Sequence, residues 1–490
     1  MKKIDTSINA IKKHIKSKTN NNPDVIFKSL TFMNNKINVI FCESLSNRDI
    51  INKFILEYFE EKNTEQKNIK DMLTFLEENI PTHKTTPLNN YDELFYNLFS
   101  GFTLISIDGY DKVLSIETKA TLNSSISTAQ NESTIKGPKD AFTESYQTNL
   151  GLIRKRIKTE NLWLDELKIG KQSKTKIGIM YINGIVSNKL VKEIKDKISK
   201  INIDAVMDSN YIIEAITENK NNVFPNFIST ERPDLVAMKL LDGRVAVIVE
   251  NTQYVVIVPI TFNELFQSPE DYYQKPINVN YTRIIRFIAL FLTLLTPALY
   301  IAITTYNYEA IPGKILINFA TQRDGVPFPT VLEALLMTLT FEILKETDTR
   351  VPSSIGSSLS IVGALVLGQA AVEAGIVSPI MVIVIAITSI SGLMISYLDT
   401  TNGIRWWRLI FMFSASIVGI IGIVIAGIMF LINITSIKSF GLPYLSPVAP
   451  FNRKNLGDTL LLNNKNRLFK RNSLTAAKNQ TKGKEETKNE

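Results

Sequence analysis

The sequence predicts a chain of two parts. The first is an α/β cytoplasmic region of two small subdomains. The second is an α-helical transmembrane domain of about four spans plus one interfacial or re-entrant helix. Charged residues support this division, because they are dense up to about Lys275 and sparse from Phe287 to Ile437. Apolar segments support it too: those of the first part are short and bounded by turn residues, whereas those of the second reach about 20 residues, enough to cross a bilayer.

Composition excludes several classes of protein. The chain has 490 residues, with one cysteine (Cys42) and two histidines (His14 and His83). These numbers argue against a disulfide framework and a His/Cys metal site, and we expect no cofactor. The basic start of the chain is not followed by an apolar stretch, so we expect no secretory signal and a first part that stays in the cytoplasm.

The net charge of +8 is concentrated in residues 452–490, which carry ten Lys or Arg against four Asp or Glu. This composition predicts a basic disordered tail. Contact between the tail and anionic lipid headgroups remains open. Nucleic acid is not an expected partner, because the charges follow a membrane block and lack interleaved aromatic residues.

Residues 1–22 are polar and predict a mobile N-terminus, and residues 23–119 predict the first α/β subdomain. Its predicted elements are a strand at Ile37–Cys42, a helix at Arg48–Phe59 capped by Asn47, and a hairpin over Leu104–Ile116 that turns at Asp108-Gly109.

Residues 120–143 are rich in Ser, Thr, Asn and Gln and predict an extended connector, and residues 144–274 predict the second α/β subdomain. After a helix at Glu144–Ile157 we predict a parallel β-α-β unit. It consists of strand Ile177–Ile182, helix Val186–Lys200 and strand Ile201–Met207. A β-meander follows, with strands at Leu235–Leu241, Val245–Glu250 and Tyr254–Ile260.

The first part contains no recognisable catalytic motif. Phosphate loops, dinucleotide glycine patterns, zinc-protease helices and nucleophile elbows are all missing from the sequence. The acidic residues Asp108, Glu117, Asp140 and Glu144 show no spacing that pairs them. We therefore do not expect an enzyme.

Residues 283–437 predict the transmembrane domain, with spans at Phe287–Thr305, Ile355–Val377, Pro379–Tyr397 and Trp407–Ile434. The segment Thr330–Leu344 has only 15 residues and contains Glu333 and Glu342, so we predict an interfacial or re-entrant helix with acidic residues at the membrane interface. The missing signal and the basic tail predict that both termini lie in the cytoplasm, which requires an even number of spans and favours four, with Thr330–Leu344 not crossing.

One predicted span carries a polar stripe. On a helix over Ile355–Val377 the residues Val362, Val366, Gln369 and Glu373 share one face. Several copies around an axis would form an apolar ring that gates and a polar ring that favours cations. The alternatives are that Gln369 and Glu373 bond to neighbouring helices or lie near headgroups, and that the valines make ordinary helix contacts.

Four sequence blocks resemble the A subunit of the GerA family of spore germinant receptors. They are GFTLISIDGYDKVLSIETK (Gly101–Lys119), GPKDAFTESYQTNLGLIRKRI (Gly137–Ile157), PFPTVLEALLMTLTFEILKE (Pro327–Glu346) and SIVGALVLGQAAVEAGIVSP (Ser360–Pro379). The resemblance implies a multi-pass protein of the spore inner membrane with a transporter-like B subunit and a lipoprotein C subunit as partners. It also implies a homo-oligomer, expected as a pentamer, that passes monovalent cations when nutrients trigger germination.

The leading hypothesis is thus a germinant receptor subunit that forms a nutrient-gated cation pathway. A non-conducting scaffold that docks signalling partners is the first alternative. A secondary transporter is the second, and it is disfavoured because Phe287–Ile434 shows no internal repeat.

Overall fold

The computed structural model describes residues 2–62, 71–81, 85–121, 128–129, 131–217, 222–350, 366–395, 397–453, 456–463, 471, 475–476 and 479–482. The chain forms two compact units. Unit 1 comprises Met1–Glu218, Phe227–Ile260 and Asn466–Glu490, and unit 2 comprises Asn219–Asn226 and Thr261–Lys465.

The first sheet of unit 1 has five antiparallel strands in the order β1-β2-β4-β5-β3. The strands are β1 (Val25–Phe32), β2 (Asn35–Cys42), β3 (Thr85–Leu88), β4 (Phe102–Ile107) and β5 (Val113–Glu117). The helices are α1 (Ile8–Lys18), α2 (Arg48–Ile51), which continues through a π-helical segment Asn52–Leu56 into α3 (Glu57–Lys62), α4 (Met72–Asn79) and α5 (Tyr91–Leu98). The predicted hairpin is confirmed, and Gly109 supplies its left-handed turn residue with φ +90°. The predicted cap is also confirmed, because the Asn47 side chain accepts from the backbone N–H groups of Asp49 and Ile50.

The two faces of this sheet carry separate apolar clusters. Successive residues of a strand point to opposite faces, so Leu104 packs in the cluster that contains α1 and α5, while Ile105 packs in the cluster that contains α3 and α4. Helix α1 lies in the segment predicted to be mobile, and that prediction is wrong for these residues. Ile11 and Ile15 are fully buried, because their four-residue spacing places both on the face that packs against the sheet.

The second sheet of unit 1 also has five antiparallel strands, in the order β6-β7-β9-β10-β8. The strands are β6 (Leu162–Ile169), β7 (Thr175–Ile182), β8 (Ile228–Thr230), β9 (Val245–Val249) and β10 (Val255–Val258). The helices are α6 (Tyr146–Arg154), α7 (Asn188–Ser199), α8 (Ser209–Ile216) and α9 (Pro233–Leu241). The last two strands of the predicted meander are confirmed as β9 and β10.

Two predicted strands of this region are wrong. Residues 201–207 form no strand, because both edges of β7 are taken by β6 and β9. Their backbone instead bonds to the turn after β6, where Lys171 N donates to Ile203 O at 3.0 Å. The parallel β-α-β unit is therefore absent from the described second sheet. Residues 235–241 belong to helix α9 rather than to a strand, because Pro233 sits at the first helical position with φ already suited to a helix.

Within unit 1, a buried ion pair joins helix α6 to Asp24, the residue just before β1. The Arg154 guanidinium of α6 is fully buried, and its Nε donates to Asp24 Oδ2 at 2.8 Å. Asp24 also accepts from the Ser44 N–H and hydroxyl and from the Cys42 thiol. Burial, together with the nearby Asp24 carboxylate, raises the pKa of the Cys42 thiol. Each charge of the pair is thus neutralised where water is excluded, so loss of either partner would leave a costly buried charge.

The predicted connector is held to the second sheet by an acidic cluster. The backbone N–H groups of Asn131 and Glu132 donate to Glu231 Oε1 at 2.7 and 2.8 Å, and Thr230 donates to the Glu132 carboxylate. Arg232 Nη1 donates to the Glu132 carbonyl oxygen at 3.1 Å. Burial raises the pKa of Glu132 to about 7. The subdomain boundaries at 119 and 144 stay a prediction.

Unit 2 is a helical bundle. Its helices are α10 (Pro276–Thr305), α11 (Gly313–Arg323), α12 (Thr330–Arg350), α13 (residues 366–373), α14 (Pro379–Gly392), α15 (Leu398–Val418) and α16 (Ile420–Ser436), and a ribbon of β11 (Lys438–Ser439) and β12 (Leu442–Pro443) follows. In the described part of the chain, one helix, α10, is long and apolar enough to cross a membrane, and α14 and α16 are shorter apolar helices.

Two predictions about these helices need correction. Helix α12 has 21 residues instead of the predicted 15. The span predicted at Trp407–Ile434 is two helices, because Gly419 adopts φ +66° and ψ −138° and ends α15. Helices α15 and α16 pack against each other, with the Trp407 and Phe430 rings 5.1 Å apart. Of the helix predicted at Ile355–Val377, residues 355–365 lie outside the described residues.

The two ends of the bundle's chain meet. Phe262 N, ahead of α10, donates to Tyr444 O, after α16, at 2.7 Å. Further along, Arg283 of α10 pairs with Asp271 and Asp458, both at 2.9 Å. Asp458 belongs to the segment predicted as a disordered tail, so this part of the tail has a defined position in unit 2.

Candidate functional site

Three residues of the predicted stripe lie on helix α13. Val366, Gln369 and Glu373 are spaced three and four residues apart, which places them on one face, and all three are exposed. Neither Gln369 nor Glu373 has a hydrogen bond or ion pair with another described residue. Val362 lies outside the described residues. The structure therefore brings three of the four stripe residues together on a polar surface that the described part of the chain leaves open.

Helix α13 ends earlier than predicted, in a glycine-centred turn. Gly375 N donates to Val372 O at 3.0 Å and Ile376 N to Ala371 O at 2.9 Å, the two bonds of a Schellman motif. Gly375 has φ +64°, and an added Cβ would lie 3.1 Å from Gly325 O. This geometry requires glycine, and it fixes Glu373 in the last turn of α13.

The turn after α13 is anchored by Glu333. This carboxylate of α12 is fully buried, and its Oε2 accepts from the Ser378 N–H and from the Ser378 hydroxyl, both at 3.0 Å. Arg323 of α11 lies 3.4 Å from Glu333 Oε1, and the Tyr300 hydroxyl of α10 lies 3.5 Å from Ser378 Oγ. Ser378 caps α14, so a carboxylate sits at a helix N-terminus, where backbone N–H groups favour negative charge. Glu333 thus holds the junction of α13 and α14 against α12.

Glu342 lies at a different place. Its carboxylate accepts from Arg408 Nη2 at 2.8 Å and lies 3.1 Å from Arg405 Nε. Both arginines belong to α15, so this cluster joins α12 to α15. The sequence predicted Glu333 and Glu342 as a pair of interface residues, whereas each has its own cationic partners here.

A cavity of about 240 Å³ opens beside Glu342, between α10, α12, α14 and α15. We call it the Glu342 cavity. The polar residues that line it are Thr293, Thr338, Glu342, Lys345, Thr388, Ser389, Thr401, Arg405 and Arg408, and its apolar lining includes Phe341, Leu344, Ile385, Ile390, Leu393 and Ile404.

Sequence reasoning missed the partners of both glutamates. The partners of Glu333 are Arg323 of α11 and Ser378, the cap of α14, and no spacing in the sequence links them to Glu333. One local signal was available: Ser378 precedes Pro379, a pair typical of the cap and first position of a helix. The acidic residues of the first part stay dispersed; Asp140, for example, pairs with Arg156 at 2.6 Å. In the described part of the chain, no group of three His, Cys, Asp or Glu side chains is suited to hold a metal.

The fold and the site define a protein with an α/β unit and a bundle of largely apolar helices that presents one polar helix face. A family model described as Bacillus/Clostridium GerA spore germination protein matches residues 13–474. The chain therefore belongs to the GerA family, whose members are spore germination receptor subunits, and the resemblance of the four sequence blocks is confirmed.

The chain is also similar to individual proteins. "Spore germination protein KA" of Bacillus subtilis (strain 168) is 40% identical over 422 residues, which cover 86% of this chain and 77% of the relative. "Uncharacterized membrane protein YfkQ" of the same organism is 37% identical over 436 residues, 89% of this chain and 85% of the relative. A crystal structure of the N-terminal domain of the A subunit of the Bacillus megaterium spore germinant receptor GerK3 is 30% identical with a TM-score of 0.42, and covers 53% of this chain and 97% of that chain.

Proposed function

We propose that this protein is the A subunit of a nutrient-sensing germinant receptor, and that α13 lines a cation pathway formed by several copies of the chain. The observation that carries the proposal is the exposed face of Val366, Gln369 and Glu373. A carboxylate facing lipid costs several kcal/mol, so Glu373 requires water or protein on that face. A symmetric oligomer with α13 at its axis supplies both.

The anchored turn supports the same proposal. Glu333 and Gly375 fix the end of α13, so the Glu373 ring would have a defined radius, and an acidic ring favours cations over anions. The apolar residues Val366 and Val362, seven and eleven positions before Glu373 in the sequence, would form the constriction that gates by dewetting. Nutrient binding would then open the pathway if the nutrient binds the open arrangement more tightly.

The proposal includes the cellular setting. The protein would be a multi-pass protein of the spore inner membrane with both termini in the cytoplasm, alongside a transporter-like B subunit and a lipoprotein C subunit. The apolar helices α10, α14 and α16 and the name of the relative YfkQ support a membrane location.

Potassium efflux from intact spores after addition of nutrient broth tests the pathway. Wild type is compared with Val362→Ala and Glu373→Gln at matched protein levels, and Glu309→Gln, an exposed carboxylate of unit 2, is the control. We expect leak without nutrient from Val362→Ala, slower efflux from Glu373→Gln and normal efflux from the control. Normal efflux from both stripe variants would refute the pathway through α13.

A second measurement separates a conducting subunit from a scaffold. The full chain, purified in detergent, is reconstituted into sealed vesicles loaded with potassium. Efflux that Glu373→Gln reduces supports conduction by this chain, whereas tight vesicles at several protein densities would favour the non-conducting scaffold.

A further inference from the structure

We propose that the Glu342 cavity is a binding site for a small organic monoanion, a carboxylate carried on a compact apolar body. This proposal does not depend on whether α13 lines a cation pathway.

The charge at the cavity wall is unbalanced. Arg405, Arg408 and Lys345 face it with three positive charges, and Glu342 is the one carboxylate among its described lining residues. The side chain of Arg408 is only 8% exposed and that of Glu342 30%. A charge that is held away from water keeps a strong attraction for a counter-ion, because the surroundings screen it poorly. The excess of positive charge favours an anion over a zwitterion, whose ammonium group would meet the same arginines.

Two buried polar atoms of the wall lack a partner among the described residues. They are Arg408 Nε and Thr338 Oγ1, and both residues are more than nine-tenths buried. Buried donors of this kind are normally satisfied, and an unsatisfied one is costly. Both residues line the cavity, and an arginine fork suits a planar oxyanion such as a carboxylate particularly well.

The rest of the cavity specifies the body of the ligand. Its remaining wall is mostly apolar and includes Ile385, Leu393 and Ile404. A volume of 240 Å³ equals that of roughly eight water molecules in the liquid, which is below the usual range for drug-sized sites. A single aromatic ring or a short branched chain fits this volume, whereas the acyl chains of a membrane lipid do not.

Isothermal titration calorimetry on the full chain in detergent tests the site, with benzoate as the probe and benzamide as its neutral isostere. We expect benzoate to bind saturably and benzamide to bind at least tenfold more weakly. Arg408→Gln should weaken benzoate binding about 10- to 100-fold, because a charge-assisted contact is lost. Lys314→Gln, at an exposed position of unit 2, should leave binding unchanged.

Thr338→Val keeps the test decisive if Arg408→Gln fails to fold. It removes an unpartnered hydroxyl without changing the side-chain shape, so the thermal midpoint should hold or rise while benzoate binding weakens about three- to tenfold. Equal binding of benzoate and benzamide would overturn the proposal, as would no binding of either. Displacement of benzoate by short-chain phosphatidylglycerol but not by phosphatidylcholine would also overturn it, in favour of a lipid headgroup.

Discussion

Replacing Glu333 by alanine should destabilise unit 2 strongly. The carboxylate accepts two hydrogen bonds from Ser378 at 3.0 Å, and each bond to a charged group contributes about 1.5–3 kcal/mol. Arg323 would lose its partner, but its side chain is 24% exposed and can be solvated. We therefore expect Glu333→Ala to lower the free energy of unfolding by about 3–4 kcal/mol, which is in the lower part of the range for breaking a buried ion pair. Ser378→Ala keeps the backbone donor and should cost only about 1–2 kcal/mol.

Denaturant unfolding of the full chain in detergent measures these losses. A Trp163→Phe background leaves Trp406 and Trp407, both on α15, as the fluorescence reporters of unit 2. The double variant at Glu333 and Ser378 should be more stable than additivity predicts, by about 1–2 kcal/mol, since both changes remove the same bond. A Glu333→Ala variant within 0.5 kcal/mol of the parent, well under the roughly 3 kcal/mol expected, would refute the role of Glu333 as an anchor.

Three further predictions concern glycines of the bundle and one acid of unit 1. Gly422→Ala should lower the free energy of unfolding by about 2–3 kcal/mol, because the added Cβ would lie 2.0 Å from Ser414 O. In the same unfolding assay, Gly427→Ala should be neutral or stabilising, because nothing lies within 4 Å of the Cβ added there. Gly375→Ala should lower the free energy of unfolding by about 1–2 kcal/mol, because the backbone there is left-handed with φ +64°. An unchanged free energy of unfolding would contradict the Schellman turn. In the folded protein the pKa of Glu132 is raised from 4.5 to about 7, so the folded state binds the proton more tightly than the unfolded state does. The free energy of unfolding should therefore fall by up to about 3 kcal/mol as the pH rises from 4.5 to 7. In Glu132→Gln this pH dependence should disappear from thermal unfolding curves, and its persistence would assign the titration to another group.

The sequence correctly predicted the elements whose conformation is determined by residues that are neighbours in the chain. The hairpin at Asp108-Gly109 needs only a glycine at its left-handed position, and the cap at Asn47 needs only a side-chain oxygen before a helix. Both depend on neighbours in the chain, so a single sequence is sufficient to find them.

Elements that depend on distant partners were not predictable in this way. Residues 201–207 alternate like a strand, but whether they pair depends on β7, whose two edges are occupied. The largely apolar run 235–241 suits strand and helix equally, and the burial of most of its residues hides the period. Gly419 resembles the small residues that let helices approach, so the break between α15 and α16 could not be distinguished from close packing.

In the candidate site, too, features that depend on local spacing were predictable and features that depend on distant residues were not. The common face of Val366, Gln369 and Glu373 follows from helical spacing alone, and the structure places these residues on one exposed helix. The anchoring of Glu333 needs residues 45 positions later, and the cationic partners of Glu342 lie more than 60 positions later. Such contacts arise from the packing of helices, which periodicity does not encode.

The meeting of the two chain ends of unit 2 makes the bundle a closed loop of covalent and non-covalent links. Phe262, ahead of α10, is bonded to Tyr444, after α16, and Arg283 of α10 is bonded to Asp458, so these contacts connect the start of the bundle to the segment that follows it. After a single cut in the backbone between α11 and α12, these non-covalent contacts would therefore still join the two fragments. The two fragments would remain one particle, and such a nicked protein would lose connectivity but keep the ring of contacts that defines its shape.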